Sequence, residues 1–185
     1  METSLRARKK LATHDAIFAA ATRLCVKKGY TKTTLSDIAD TANVSQRTIF
    51  SYFPSKEDIV LEPYKQRFAE LVEHLETRGE QTVFDALRAL GNHDENNHDD
   101  DACRQLIEST PELQEHLASL LSDFEHTLVR LIAEERNLPL DSIQAYMIAA
   151  ACRALVTYSM DNRDRHHDTA ETALRFIEAG LEATS

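Results

Sequence analysis

Residues 45–48 read Ser-Gln-Arg-Thr, four hydrogen-bonding side chains in succession, with Phe50, Tyr52 and Phe53 close behind. Arginine pairs bidentately with guanine and glutamine with adenine, whereas hydroxyl groups suit phosphate oxygens. Gln46 and Arg47 are therefore candidates for reading base edges, with Ser45 and Thr48 beside them. Phe50 has no hydrogen-bonding group and is assigned to a thymine methyl or a sugar. Thr33, Thr34, Tyr52 and Lys56 are the candidates for holding phosphates. The threonine pair and Lys56 fall at expected helix starts, where the backbone itself favours anions.

An anionic partner conflicts with the charge of the whole chain. The 185 residues carry a formal charge of -10 and a pI near 5.2. The conflict disappears when the chain is divided. Residues 1–56 hold ten Lys/Arg against four acids, a balance of +6, and the remainder holds 11 bases against 27 acids, a balance of -16. A basic head on an acidic body implies that only the head meets the anion, while the body repels it and discourages wrong docking. The basic run Arg6 to Lys10 reads equally as a DNA contact and as a solubilising end.

Helices must position these side chains. Four Gly and four Pro are too few for a sheet-rich fold with many tight turns. The first segment carries Ile17, Ala21, Leu24 and Cys25 on one face and ends at Gly29, a natural left-handed cap. A second helix starts at Thr33-Thr34 and runs through Leu35, Ile38, Ala39 and Ala42. Asn43 suits the positive φ of the turn after it. Ser45 caps a third helix, which Pro54 ends because the residue before a proline avoids the helical region. Ile49 and Phe53 share one face of it and would pack against Ile38, Ala39 and Val44. Together these make a helix-turn-helix unit whose outward face presents Gln46, Arg47, Phe50 and Ser51. Ser55 starts a fourth helix, which Pro63 should kink or break. Beyond it, apolar stripes mark further helices, Thr110-Pro111-Glu112 is a strong helix start, and residues 91–101 and Asp161 to His167 read as polar connections. The expectation is an all-α protein of about nine helices without strands: a DNA-binding head over residues 1–54 and a larger helical domain over 55–185.

The stretch TTLSDIADTANVSQRTIFSYFPSKEDIV resembles the DNA-binding signature of TetR-type (TetR/AcrR) bacterial transcriptional regulators, the close match covering about residues 12–61. The family pattern joins a threonine pair to D-I-A-x-x-A-x-V-S-x-x-T and then to aromatic-x-Y-F-x-x-K-E-x-[LI]. Two departures stand out: Asn43 occupies a turn position that is usually glycine, and Phe50 one that is usually tyrosine. The resemblance implies a homodimer on double-stranded palindromic operator DNA, usually a repressor. It further implies a small-molecule effector bound in the C-terminal domain and a dimer interface built from the last two helices, here about 141–160 and 168–183. Half-sites one helical turn apart, about 34–36 Å, are the default for such dimers. An activator, or a regulator with no effector, is the alternative within that class. A helical enzyme or interaction module with a disused head is the alternative outside it, opposed by the charge split and the intact Ser-Gln-Arg-Thr face.

In the body, Phe68, Phe84, Phe124, Tyr146, Met147 and Tyr158 read first as core and second as the lining of a ligand site, for an apolar or aromatic effector. Tyr146 and Tyr158 are foremost, because a buried hydroxyl needs a partner. The His and Asp of residues 93–101 and His166-His167 read as solvated, so no metal site is expected. No cofactor is implied, and no grouping of residues supports catalysis. The odd, widely spaced cysteines Cys25, Cys103 and Cys152 read as reduced thiols in helices. With neither a membrane-spanning run nor a leader peptide in evidence, a cytoplasmic location without membrane partners is expected.

Overall fold

The computed structural model of the protein describes residues 5–90, 98–161 and 166–182. Among them the chain forms ten helices and no strand: α1 (Leu5–Lys28), α2 (Leu35–Ala42), α3 (Gln46–Tyr52), α4 (Lys56–Val60), α5 (Glu62–Glu76), α6 (Val83–Leu90), α7 (His98–Glu108), α8 (Pro111–Arg136), α9 (Ile143–Asp161) and α10 (His166–Glu182). None is long and apolar enough to cross a membrane.

The tenth helix comes from Pro63. The expected fourth helix breaks before the proline, at Leu61, and Pro63 becomes the second residue of α5. A proline is at home there because the first amides of a helix have no intrahelical partner to lose. A second difference lies at α7, which begins at His98, inside the segment expected to be a loop. Residues 91–97 and 162–165, with the side chains of the proposed histidine-rich connections, lie outside the described residues.

The helices divide into two compact units, Met1–Gln66 with Asn96–Ala118, and Arg67–Glu95 with Ser119–Ser185. The unit that contains the head thus runs past residue 54 and takes in α7 and the start of α8. Its core joins Ile17, Ala20 and Ala21 of α1, Ile38 and Ala39 of α2, Ile49 of α3, Phe53 just after it, and Ile59 of α4. Each large apolar side chain fully buried in this way contributes about 1.5–3 kcal/mol. That burial fixes the crossing of α2 and α3, as the i, i+4 spacing of Ile49 and Phe53 requires.

The local signals agree with this packing. Thr34 caps α2 in a capping box with Asp37, and Ser45 caps α3 by accepting from the Thr48 amide at 3.0 Å. Between them Asn43 takes φ 55°, and the Val44 amide reaches back to the Ala39 carbonyl at 2.9 Å. Phe53 is extended, as a residue before proline must be.

The second unit is built differently. Phe68 and Phe124 pack at 5.3 Å between ring centroids. Arg88 ties α6 to α10 by donating from Nε to Glu171 at 2.7 Å and from NH2 to Glu178 at 2.9 Å. The inner face of α9 is made of Ala145, Ile148, Ala149 and Cys152. Burial pushes the Cys152 thiol up to about 12. All three cysteines are buried thiols outside any disulfide, in α1, α7 and α9.

The turn is the most local test of this architecture. Asn43→Gly is expected to keep the fold and raise the melting temperature, because glycine carries no penalty at φ 55°. Asn43→Val should lower stability by roughly 1–2 kcal/mol, measured by urea denaturation monitored by circular dichroism.

Candidate nucleic-acid interface

Gln46 and Arg47 form the first turn of α3, and both are exposed. Phe50, one turn further, is 53% exposed. The helix is held from beneath by Ile49 and Phe53, so this edge stands on a rigid base. Ser51 is exposed and donates to the Thr48 carbonyl at 2.6 Å. Ser45 and Thr48 share a hydroxyl contact of 2.8 Å and mark the helix start. Tyr52 is half-buried, its ring 6.4 Å from that of His14. The N-terminal turns of α1 expose Arg6, Arg8, Lys9 and Lys10.

Two of the expected phosphate ligands have other work. Thr33 is 1% exposed, and its hydroxyl donates to the Gly29 carbonyl at 2.9 Å. Lys56 donates from Nζ to the carbonyls of Tyr30 and Thr33, each at 3.0 Å, and its ammonium sits 3.9 Å above the Tyr30 ring. Both therefore clamp the α1–α2 loop. Thr34 remains exposed, but its hydroxyl is engaged with Asp37 at 2.5 Å.

Tyr30, absent from the candidates that the sequence offers, is the centre of this clamp. It is buried, stacks under Lys56 and donates its hydroxyl to Glu57. Burial, then the Glu57 hydrogen bond, raise the tyrosine well above its ordinary value. Burial raises Glu57 too, but the Tyr30 hydroxyl and further hydrogen bonds outweigh it and hold the carboxyl below its usual range. The one available signal was an aromatic directly after the glycine that ends α1. His14 was also missed. Its ring packs on Phe53 with centroids 4.8 Å apart, and Nε2 lies 3.0 Å from the Glu62 carboxylate. Lys28 adds an ion pair to Asp37 at 2.6 Å, joining the end of α1 to α2. That lysine first, then Thr34, holds the Asp37 carboxyl far below the usual carboxylate range.

The six candidate ligand residues separate by face. Phe68, Phe84 and Phe124 are buried. Tyr146, Met147 and Tyr158 are not: they are 40%, 67% and 44% exposed, away from the face that buries Ala145 and Ala149. The two tyrosines are therefore not buried groups in need of a partner, as their sequence positions suggested. Small residues face inward instead.

Residues 17–62 match the family described as "Bacterial regulatory proteins, tetR family". The protein belongs to the TetR family. The HTH-type transcriptional regulator TcmR of Streptomyces glaucescens is 31% identical over 149 residues, which are 74% of this chain and 66% of that protein. The uncharacterized regulator YvkB of Bacillus subtilis is 42% identical over 81 residues, 42% of this chain and 39% of its own. The chain thus spans about two thirds or less of the curated relatives it matches, and those relatives are transcriptional regulators rather than enzymes. Among solved structures, native NalD of Pseudomonas aeruginosa, the secondary repressor of the MexAB-OprM efflux pump, aligns with a TM-score of 0.61 at 21% identity. That alignment covers 92% of this chain and 97% of NalD. FadR of Bacillus subtilis, in complex with stearoyl-CoA, aligns with a TM-score of 0.51 at 21% identity, covering 88% and 96%. At these identities the likeness is one of all-α fold.

The clamp makes a prediction in pH. The lowered Glu57 favours the folded state above its ordinary value of 4.5, and that contribution is lost as pH falls through the lower folded value. The raised Tyr30 favours the folded state below its ordinary value of 10.0, and that contribution is lost as pH rises beyond it. Tyr30→Phe should flatten both arms of the stability–pH curve. Identical curves for the variant and the parent would refute the pairing. Lys56→Ala should weaken DNA binding through the loop while leaving the salt slope unchanged, whereas loss of a phosphate contact lowers that slope by about 1.

Proposed function

We propose that the protein is a ligand-responsive transcriptional repressor that binds a palindromic operator as a homodimer and is released by a small molecule in the cytoplasm. The carrying observation is the exposed edge of Gln46, Arg47 and Phe50 on a helix locked to the core beneath it. In helix-turn-helix proteins these N-terminal positions of the recognition helix reach base edges in the major groove. Residues 1–54 read DNA in this proposal, and residues 55–185 bind the effector and pair the subunits. Ser45, Thr48, Tyr52 and Thr34 surround the reading edge as backbone contacts. Phe68, Phe84 and Phe124 remain the candidates for an apolar effector wall.

Pairing through the last two helices is supported by α9, which is apolar on both sides. Its inner face is covered within the unit, yet Ile143, Tyr146 and Met147 stand out from the opposite face, and Phe176 of α10 is 80% exposed. An outward cluster of large apolar side chains is suited to cover by a partner. A second chain supplies it. Effector response finds support in the FadR neighbour, whose structure holds stearoyl-CoA.

A mobility shift on DNA from upstream of the protein's own gene, at two salt concentrations, tests the regulator. A specific complex that weakens steeply with salt is expected, and no shift on any genomic fragment would sink the reading. Arg47→Ala should cost roughly 1–3 kcal/mol on the operator and relax base preference; equal losses on operator and random DNA would count against base reading. For pairing, Met147→Glu with Phe176→Glu should convert a dimer to a monomer in sedimentation velocity. A parent protein that is already monomeric at micromolar concentration would contradict it.

A further inference from the structure

The head's own compact unit contains a cleft of about 550 Å³. One wall is the end of α1 and the loop after it, from Cys25 to Lys32; the other is the end of α7 and the start of α8, from Ala102 to Glu112. Its size is that of a small-molecule site. It is separate from Gln46, Arg47 and Phe50, and from the phenylalanines of the second unit, so neither base reading nor the proposed effector wall uses it.

The chemistry of the walls points to a class of occupant. Thr110 is only 7% exposed, lines the cleft, and its hydroxyl makes no hydrogen bond among the described residues. It does not cap α8, because the amides of Leu113 and Gln114 are taken by the Thr110 carbonyl, each at 3.1 Å. The hydroxyl is thus left open to the cleft, where it can donate to or accept from an occupant. The charges are uneven as well. Lys28 is neutralised by Asp37, and Glu112 lies in the first turn of the 26-residue α8, where the helix's positive end balances it. Lys32 pairs with no carboxylate among the described residues and is left as the uncompensated charge. Val26, Leu106 and Pro111 supply an apolar surface beside these polar groups.

We infer that this cleft is a binding site for a small amphipathic anion, its carboxylate or equivalent group on Lys32 and Thr110 and its apolar part on Val26, Leu106 and Pro111. The inference deepens the regulator reading by placing an effector site inside the DNA-binding unit, and rests on that reading only for the consequences of occupancy. The wall formed by residues 29–32 belongs to the same loop that Lys56 fastens to α4 and that Thr33 closes on the Gly29 carbonyl. An occupant bridging Lys32 to Thr110 ties that loop to the α7–α8 junction and changes how freely the reading helix is presented.

The test is a titration of the full chain with 4-phenylbutyrate, monitored by amide chemical shifts, with 4-phenylbutanol and 4-phenylbutylamine as uncharged and cationic controls. Saturable shifts are expected at Thr31, Lys32, Ser109 and Glu112, for the carboxylate alone. Lys32→Glu and Thr110→Val should each weaken binding by ~10-fold, while Thr110→Ser, which keeps the hydroxyl, should bind as the parent does. Lys32 is exposed, so its variant tests the site even if Thr110→Val fails to fold. Equal binding of the alcohol or the amine, parent-like binding of Lys32→Glu, or shifts confined to residues 67–90 and 119–180 would each overturn the site. No DNA enters this titration, so its failure is independent of a failed mobility shift.

Discussion

The ammonium of Lys56 is the point on which the head depends. It takes two loop carbonyls from residues 26 and 23 positions earlier and covers the ring of Tyr30. That loop is the only covalent path from α1 into α2, and it carries no helix or strand of its own. Without the ammonium, the Thr33 carbonyl would have to find water beside a buried aromatic, and the Tyr30 carbonyl would keep only the Thr33 amide at 3.1 Å. The pairing of Glu57 with Tyr30 closes the same joint from the neighbouring residue. So α4, a helix of five residues, does the positioning that a longer element does elsewhere. Ile49 and Phe53 seat α3 on the core, and the fastening at Lys56 holds the loop that leads into α2 beneath it.

How much of this could be read from residues alone depended on distance along the chain. Gly29, Asn43, Ser45 and Pro54 were legible because each acts on its own φ or on an amide within a turn of it. Ile38, Ile49 and Phe53 were legible because helical spacing puts them on a shared face. The TetR-type signature carried these features together, and the match over residues 17–62 agrees with it. The internal partners of Thr33 and Lys56 are not legible in the sequence, because they are set by folding and not by spacing. A lysine at a helix start suggests an anion, and nothing nearby in sequence reveals two carbonyls waiting for it.

The body was harder for a different reason. Periodicity finds apolar positions on a helix but does not say which of two apolar faces turns inward. In α9 the bulky residues look like core and the alanines like filler, yet Ala145 and Ala149 are buried and Met147 is exposed. Small inward residues allow close helix packing within the unit, which leaves the large ones outside. Pro63 was a milder case. Its power to end a helix was clear, but the end falls before it, because a proline is best accommodated in a first turn.

The two-faced α9 also bears on how the protein comes into being. If its outer face is covered only by a second chain, folding and pairing are one reaction rather than two. The yield of competent molecules then rises with the square of chain concentration while chains are scarce, and linearly once they are plentiful. On that premise a newly made chain waits for its twin with the outer face of α9 uncovered. Its supply is therefore governed by encounter as much as by synthesis.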